Sequence, residues 1–202
     1  MKYLKIIIAV FLMSPLALNA QFKMGGVKGD FKVLKDVETV SVEFDFDGMT
    51  IGEFKDGNEY IAKKVSEKNE DEAGDGDRWK EKFVGSRDRV YAPKFVELFN
   101  KHADGEIYMR QSAEDAEYKI IVKTVFTEPG WNAVVMRKKC RLNLLVSLIN
   151  ISSGEEIASL KMDKVPGGDV MGYDINPWDR IKEGYAKSGK ELAKFFIKKG
   201  FI

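Results

Sequence analysis

The chain has 202 residues, and its 33 basic and 32 acidic side chains leave a net charge of +1. So even a balance gives no electrostatic footprint for nucleic acid or for an anionic lipid surface. Hydrophobic residues reach 44% and aromatics 11%, enough to build a core and to exclude a disordered chain. One core, and so one domain, is expected at this length.

The chain opens on Met1-Lys2-Tyr3-Leu4-Lys5, a short basic segment, followed by the uncharged apolar run Ile6 to Leu12. Ser14 and Pro15 break that run, and Leu18-Asn19-Ala20 precedes Gln21. This is the three-part pattern of a cleavable export signal over residues 1–20. The apolar run is too short to span a bilayer, which takes about 18–20 residues. No cysteine near the cut offers a lipid acceptor, so the expected form is periplasmic or secreted, without an N-terminal lipid anchor. Loss of Lys2 and Lys5 takes 33 basic side chains to 31 against 32 acidic ones, a net of about −1. Cys140 is the one cysteine, so no internal disulfide can form and the fold must rest on its core.

Residues 21–36, with Gly25, Gly26 and Gly29 among lysines, show no period and read as a flexible lead-in to a domain at 37–202. Thr39 to Asp47 alternates strictly. Val40, Val42, Phe44 and Phe46 share one face, and Glu43, Asp45 and Asp47 the other, as in a half-buried strand. Met49 to Asp56 reads as connection and Asn58 to Lys68 as a short amphipathic helix. The acidic, glycine-bearing stretch Asn69 to Asp77 reads as a solvated loop. Helical spacing returns from Trp79 to Tyr91, and Pro93 can open a further helix ending near His102 to Gly105.

Ile107 to Met109 reads as an edge strand and Tyr118 to Thr127 as a longer one. Lys139 to Ile151 is the strongest strand pattern, with Cys140, Leu142, Leu144, Val146 and Leu148 on one face. The turn Ser152-Ser153-Gly154-Glu155 leads into Ile157 to Lys164, which reads as a hairpin. Asn176-Pro177-Trp178-Asp179 is a helix start, and Ile181, Tyr185, Leu192, Phe195 and Phe196 mark the buried stripe of a C-terminal helix. The strands keep one side polar. The expected fold is therefore a two-layer α+β domain: a mostly antiparallel sheet of four or five strands with helices packed on one face. Leu145 and Ile149 point to the outer side, as if part of that face were covered.

Four motifs invite chemistry and none completes it. Gly184 to Glu191 nearly matches a phosphate-binding loop, but it lies inside the helical pattern and has Glu191 where Ser or Thr is needed. Asp71, Asp75 and Asp77 lack the closing glutamate of a calcium loop, since position 82 is Lys. Glu43, Asp45 and Asp47 are weak metal candidates whose simpler role is cross-strand pairing with Lys119, Lys123 or Arg141. His102 is the single histidine and Cys140 sits in mid-strand, so no histidine-rich zinc site or Cys–His pair is available. No catalytic residue and no cofactor is expected, although paired carboxylates for hydrolysis stay open among so many acids. The candidate binding residues are Trp131, Asn132, Tyr173 and Trp178, in loops where aromatics can present flat binding surfaces or can instead lid the core.

The element order, closing on Gly189-Lys190-Glu191-Leu192-Ala193-Lys194-Phe195-Phe196-Ile197, resembles small exported bacterial envelope domains such as the amino-terminal domain of the Tol–Pal propeller protein. The resemblance spans roughly residues 37–199 and is architectural. It implies a non-enzymatic binding or interaction module that contacts an envelope protein or a cell-wall component. A small-molecule or calcium-binding protein is the alternative. Export predicts a mature chain beginning near Gln21, which intact-mass spectrometry reads directly. A chain retaining Met1 in the cytosolic fraction would overturn this.

Overall fold

The structure, a computed structural model, describes residues 22–133, 136–168 and 176–202. The expected export signal (1–20) and Tyr173 lie outside the described residues. Among those described, no helix is long and apolar enough to cross a membrane.

The strands are β1 (Lys23–Gly29), β2 (Thr39–Asp45), β3 (Thr50–Ile51), β4 (Tyr108–Gln111), β5 (Tyr118–Glu128), β6 (Trp131–Ala133), β7 (Met136–Lys138), β8 (Arg141–Asn150) and β9 (Glu156–Pro166). The helices are α1 (Gly57–Asp71), α2 (Asp75–Ser86), α3 (Ala92–Ala103) and α4 (Pro177–Lys199), with a π-helical turn Arg87–Tyr91 joining α2 to α3. The main sheet has seven strands in the order β1-β9-β8-β5-β2-β4, with β3 also pairing to β5. β6 and β7 form a separate small hairpin.

The α+β class holds, but the sheet is larger and more mixed than a mostly antiparallel set of four or five strands. β5/β8, β8/β9 and β1/β9 are antiparallel, whereas β2/β4, β2/β5 and β3/β5 are parallel. The reason is the long excursion after β2. A parallel neighbour needs a crossover rather than a hairpin, and α1 to α3 supply it before the chain returns as β4.

Residues 21–36 also need correction, because they are not a flexible lead-in. Lys23–Gly29 adds β1 to the edge of β9, pairing Met24 with Met162 and Gly29 with Ala158. Asp30 then caps a 3-10 turn by accepting from the Lys32 amide at 2.9 Å. This turn plants Phe31 and Leu34 fully in the core, with the Phe31 ring 5.0 Å from Phe196. A pair of apolar residues three apart is too short to show a period, so only the groove waiting for it reveals its role. The stretch Asn69 to Asp77 is likewise shorter as a loop than expected: α1 runs on to Asp71, α2 starts at Asp75, and Asn69 Oδ1 accepts from the Gly76 amide at 2.8 Å.

The core lies between the inner sheet face and the helices. Val40, Val42, Ile120, Val122, Leu142, Leu144, Val146, Leu148 and Leu160 face Phe95, Phe99, Ile181, Tyr185, Leu192 and Phe196, and all are buried. Lys119 and Lys123 instead lie on the outer face and pair with Glu43 and Asp45. α4 crosses the layer along a seam of small residues. Ser188 is fully buried and donates to the Gly184 carbonyl at 2.8 Å. A side chain at Gly184 would press on Leu142, and one at Gly189 would overlap the Phe95 carbonyl oxygen. The near-match to a phosphate-binding loop is therefore the contact by which α4 approaches β8 and α3.

Gly189→Ala should cost about 2 kcal/mol or more by overpacking, lowering the melting temperature by about 4–8 °C for a chain this size. Gly25→Ala meets nothing within 4 Å and should leave the melt almost unchanged. Equal melts for the two variants would refute the seam.

Candidate functional site

A cavity of about 530 Å³ opens where the end of β5, the β6–β7 hairpin and the start of α4 meet α1 and α2. Helix α1 contributes Tyr60, Lys64 and Lys68, spaced four apart and so on one stripe of the helix. Its N-terminal end is set by Asp56, which accepts from the Asn58 amide at 2.8 Å. α2 adds Trp79, and the turn after β3 adds Phe54. These aromatics brace one another edge-on: Phe54 to Tyr60 at 5.6 Å and Tyr60 to Trp79 at 6.1 Å, with Trp79 stacked on Phe83 at 4.8 Å. Offset and edge-on pairs of this kind fix a rigid wall. Trp131 and Lys138, facing each other across the β6–β7 register, complete the lining, and Trp131 is 43% exposed.

The floor is polar and buried. Glu128 ends β5 at 3% exposure; its Oε1 accepts from the Gly130 amide at 3.2 Å, and its Oε2 lies 2.7 Å from Lys138 Nζ. Arg180, in the first turns of α4 and also buried, donates from Nε to the Pro129 carbonyl at 2.9 Å and from a terminal nitrogen to the Gly130 carbonyl at 2.8 Å. Gly130 sits at φ +73°, and a side chain there would crowd the Cys140 amide and the Lys138 carbonyl. The Pro129-Gly130 turn is thus held from both ends, and Trp131 follows directly from it. Burial, reinforced by the nearby Glu128 charge and partly offset by Arg180, pushes the Tyr60 phenol up to about 12. It stays a neutral hydroxyl across the physiological range.

The sequence-derived candidates fare differently. Trp131 lines the cavity. Asn132 pairs its backbone with Arg137 in the hairpin. Trp178 is half-buried, packs against the core and is not among the lining residues. Glu43 and Asp45 are engaged by Lys119 at 2.7 Å and Lys123 at 2.6 Å, and Asp45 also accepts from the Asp47 amide at 2.7 Å. Burial alone would raise the Asp45 carboxyl, but those two hydrogen bonds outweigh it and hold the group below its ordinary value. Asp75 pairs with Lys68 and Arg78, while Asp77 accepts from Asn69. Among the described residues, no group of three His, Cys, Asp or Glu side chains is placed to hold a metal ion.

Sequence reading missed Tyr60, Lys64, Lys68, Glu128 and Arg180. The spacing of Tyr60, Lys64 and Lys68 was visible, but nothing in it tells a ligand-facing stripe from a solvated one. Trp79 stood out only as the start of a helical spacing, and it serves the core and the cavity wall together.

The comparisons with known proteins do not identify the site. No protein-family model and no curated protein matches the sequence. Among solved structures, the chain is similar to a PelC dodecamer from Paraburkholderia phytofirmans at 9% identity, covering 86% of this chain and 98% of that one with a TM-score of 0.41. It is also similar to protein XCC0632 from Xanthomonas campestris, of the DUF330 family, at 13% identity over 55% and 60% with a TM-score of 0.36. A neuraminyllactose-binding hemagglutinin homolog from Helicobacter pylori aligns at 12% identity over 86% and 89%, again with a TM-score of 0.36. Likenesses this distant carry no argument about ligand or activity, and they supply no link to the Tol–Pal propeller domain.

Cys140 borders this region but is buried, and burial pushes its thiol up to about 12, with Glu128 adding to the shift and Arg180 opposing it. The thiol is the inert form. Ellman's reagent should therefore label it only after denaturant unfolds the chain. Labelling of the native protein at the rate of a free thiol would contradict this placement.

Proposed function

We propose that the chain is an exported, non-enzymatic binding module whose ligand, presented by an envelope protein or a cell-wall component, seats in the cavity beside Trp131. One observation carries the reading: an exposed tryptophan shares the lining of a cavity of about 530 Å³ with a braced aromatic wall and a buried, charged floor. Ligand sites typically span about 300–1,000 Å³ and combine apolar walls with a few convergent polar groups. Two carboxylates line the cavity, Glu53 on an exposed turn and Glu128 in the floor. Glu128 is engaged by the Gly130 amide and Lys138, which supports a fixed polar floor for a ligand.

Trp131 is exposed enough that Trp131→Ala should fold with a melt close to the parent. Affinity capture from an envelope extract, read by quantitative mass spectrometry, should then lose the partners retained by the parent protein. Unchanged capture by a folded Trp131→Ala variant would remove the cavity from the proposal.

A further inference from the structure

The composition of this lining narrows what can fill it, granted the binding reading above. Its apolar side is made of flat rings, Phe54, Tyr60, Trp79 and the exposed Trp131. Its polar side alternates donors with an acceptor: Lys138 beside the Glu128 carboxylate at 2.7 Å, with the neutral Tyr60 hydroxyl in the same lining. A ligand suited to both has apolar faces and hydroxyl-bearing edges, because hydroxyls both give and accept hydrogen bonds. A pyranose ring has that form: its C–H face lies on an indole, and its hydroxyls satisfy paired carboxylate and ammonium groups.

The charges at the opening add a second constraint. Lys64 and Lys68 line the cavity with side chains 39% and 37% exposed. Their partners Glu67 and Asp75 do not line it, and are themselves 43% and 39% exposed. Such exposed pairs are weak, so both ammonium groups are open to a competing anion. Glu53 is the one exposed carboxylate of the lining. A phosphate-rich ligand is disfavoured at the floor by the buried Glu128, and an amino sugar is disfavoured at the opening by the two lysines.

We infer that the cavity binds an acidic saccharide, with one sugar ring stacked on Trp131, hydroxyls on Glu128 and Lys138, and a carboxylate meeting Lys64 and Lys68. The test is calorimetric titration of the full mature chain with three soluble tetramers: galacturonate (acidic), cellotetraose (neutral) and glucosamine (cationic). Tetragalacturonate should bind saturably and more tightly than the other two, and its affinity should fall as salt is added. Trp131→Ala should weaken it by about tenfold, equivalent to about 1.4 kcal/mol. Lys64→Gln combined with Lys68→Gln should erase the preference over cellotetraose without abolishing weak binding. Since all three positions are partly exposed, a melt matching the parent certifies that each variant is folded.

Absence of saturable binding by any tetramer overturns the inference, as does equal binding of the acidic and neutral tetramers, or acidic binding indifferent to Trp131→Ala. If the tetramers fail while capture from envelope extract still depends on Trp131, only the saccharide assignment falls. If that capture dependence is missing as well, the binding reading falls with it.

Discussion

Arg180 ties the last helix to the turn on which the cavity is built. Its guanidinium spans the carbonyls of Pro129 and Gly130 while the residue itself is buried at the start of α4. A planar fork can satisfy two neighbouring acceptors at once, which a lysine ammonium does less well. The Gly130 amide is meanwhile taken by Glu128. One turn is thereby fixed through its donor and its acceptors, and the hairpin carrying Trp131 and Lys138 emerges from it in a set direction. The cavity follows from this tie, since its floor, its exposed tryptophan and the first residues of α4 all meet there.

That tie requires α4 to lie where it does, and the small-residue seam provides for it. Gly184, Ser188 and Gly189 let the helix approach β8 and α3 closely, while Ile181, Tyr185, Leu192 and Phe196 fill the core alongside. Tyr185 stacks on Tyr91 at 5.1 Å, and the π-helical turn that presents Tyr91 also sets Arg87 over the Phe46 ring at 4.9 Å. Local departures from α-helical winding are often retained for such placements. Here the departure lets α2 face the cavity through Trp79 while α3 faces the core through Phe95 and Phe99.

Much of this was legible residue by residue. The alternation in β2, β8 and β9 names the buried face, down to Cys140 and Leu142 sitting with Leu144, Val146 and Leu148. In β5 it holds as far as Thr124, where a bulge leaves Thr127 and Glu128 buried instead of Phe126. Asn176 at the N-cap position and Pro177 mark the start of α4, although the Asn176 side chain makes no capping hydrogen bond, and the lysines at 198 and 199 mark its end. Strand neighbours were less legible, because alternation states which face is buried and not which strand lies alongside. A hairpin announces its pairing through a short turn, as in β8 and β9. The parallel partners of β2 are reached only after three helices. The candidate site was half legible for the same reason: an exposed tryptophan after Pro-Gly stands out, whereas Glu128 and Arg180 are ordinary charged residues until burial brings them together.

The sequence by itself determined which apolar side chains of the alternating strands and of the C-terminal helix turn inward, where that helix begins and ends, and that a lone cysteine and a lone histidine exclude an internal disulfide and multi-histidine metal chemistry. These are consequences of periodicity and composition, which are local. Only the tertiary structure decided that residues 23–34 complete the sheet and core, that β2 is flanked by parallel strands, and that Tyr60, Trp79, Glu128, Trp131 and Arg180 share one cavity. Those facts depend on contacts between segments far apart in the chain. Their free energy comes from mutual burial and paired charges that no single segment contains.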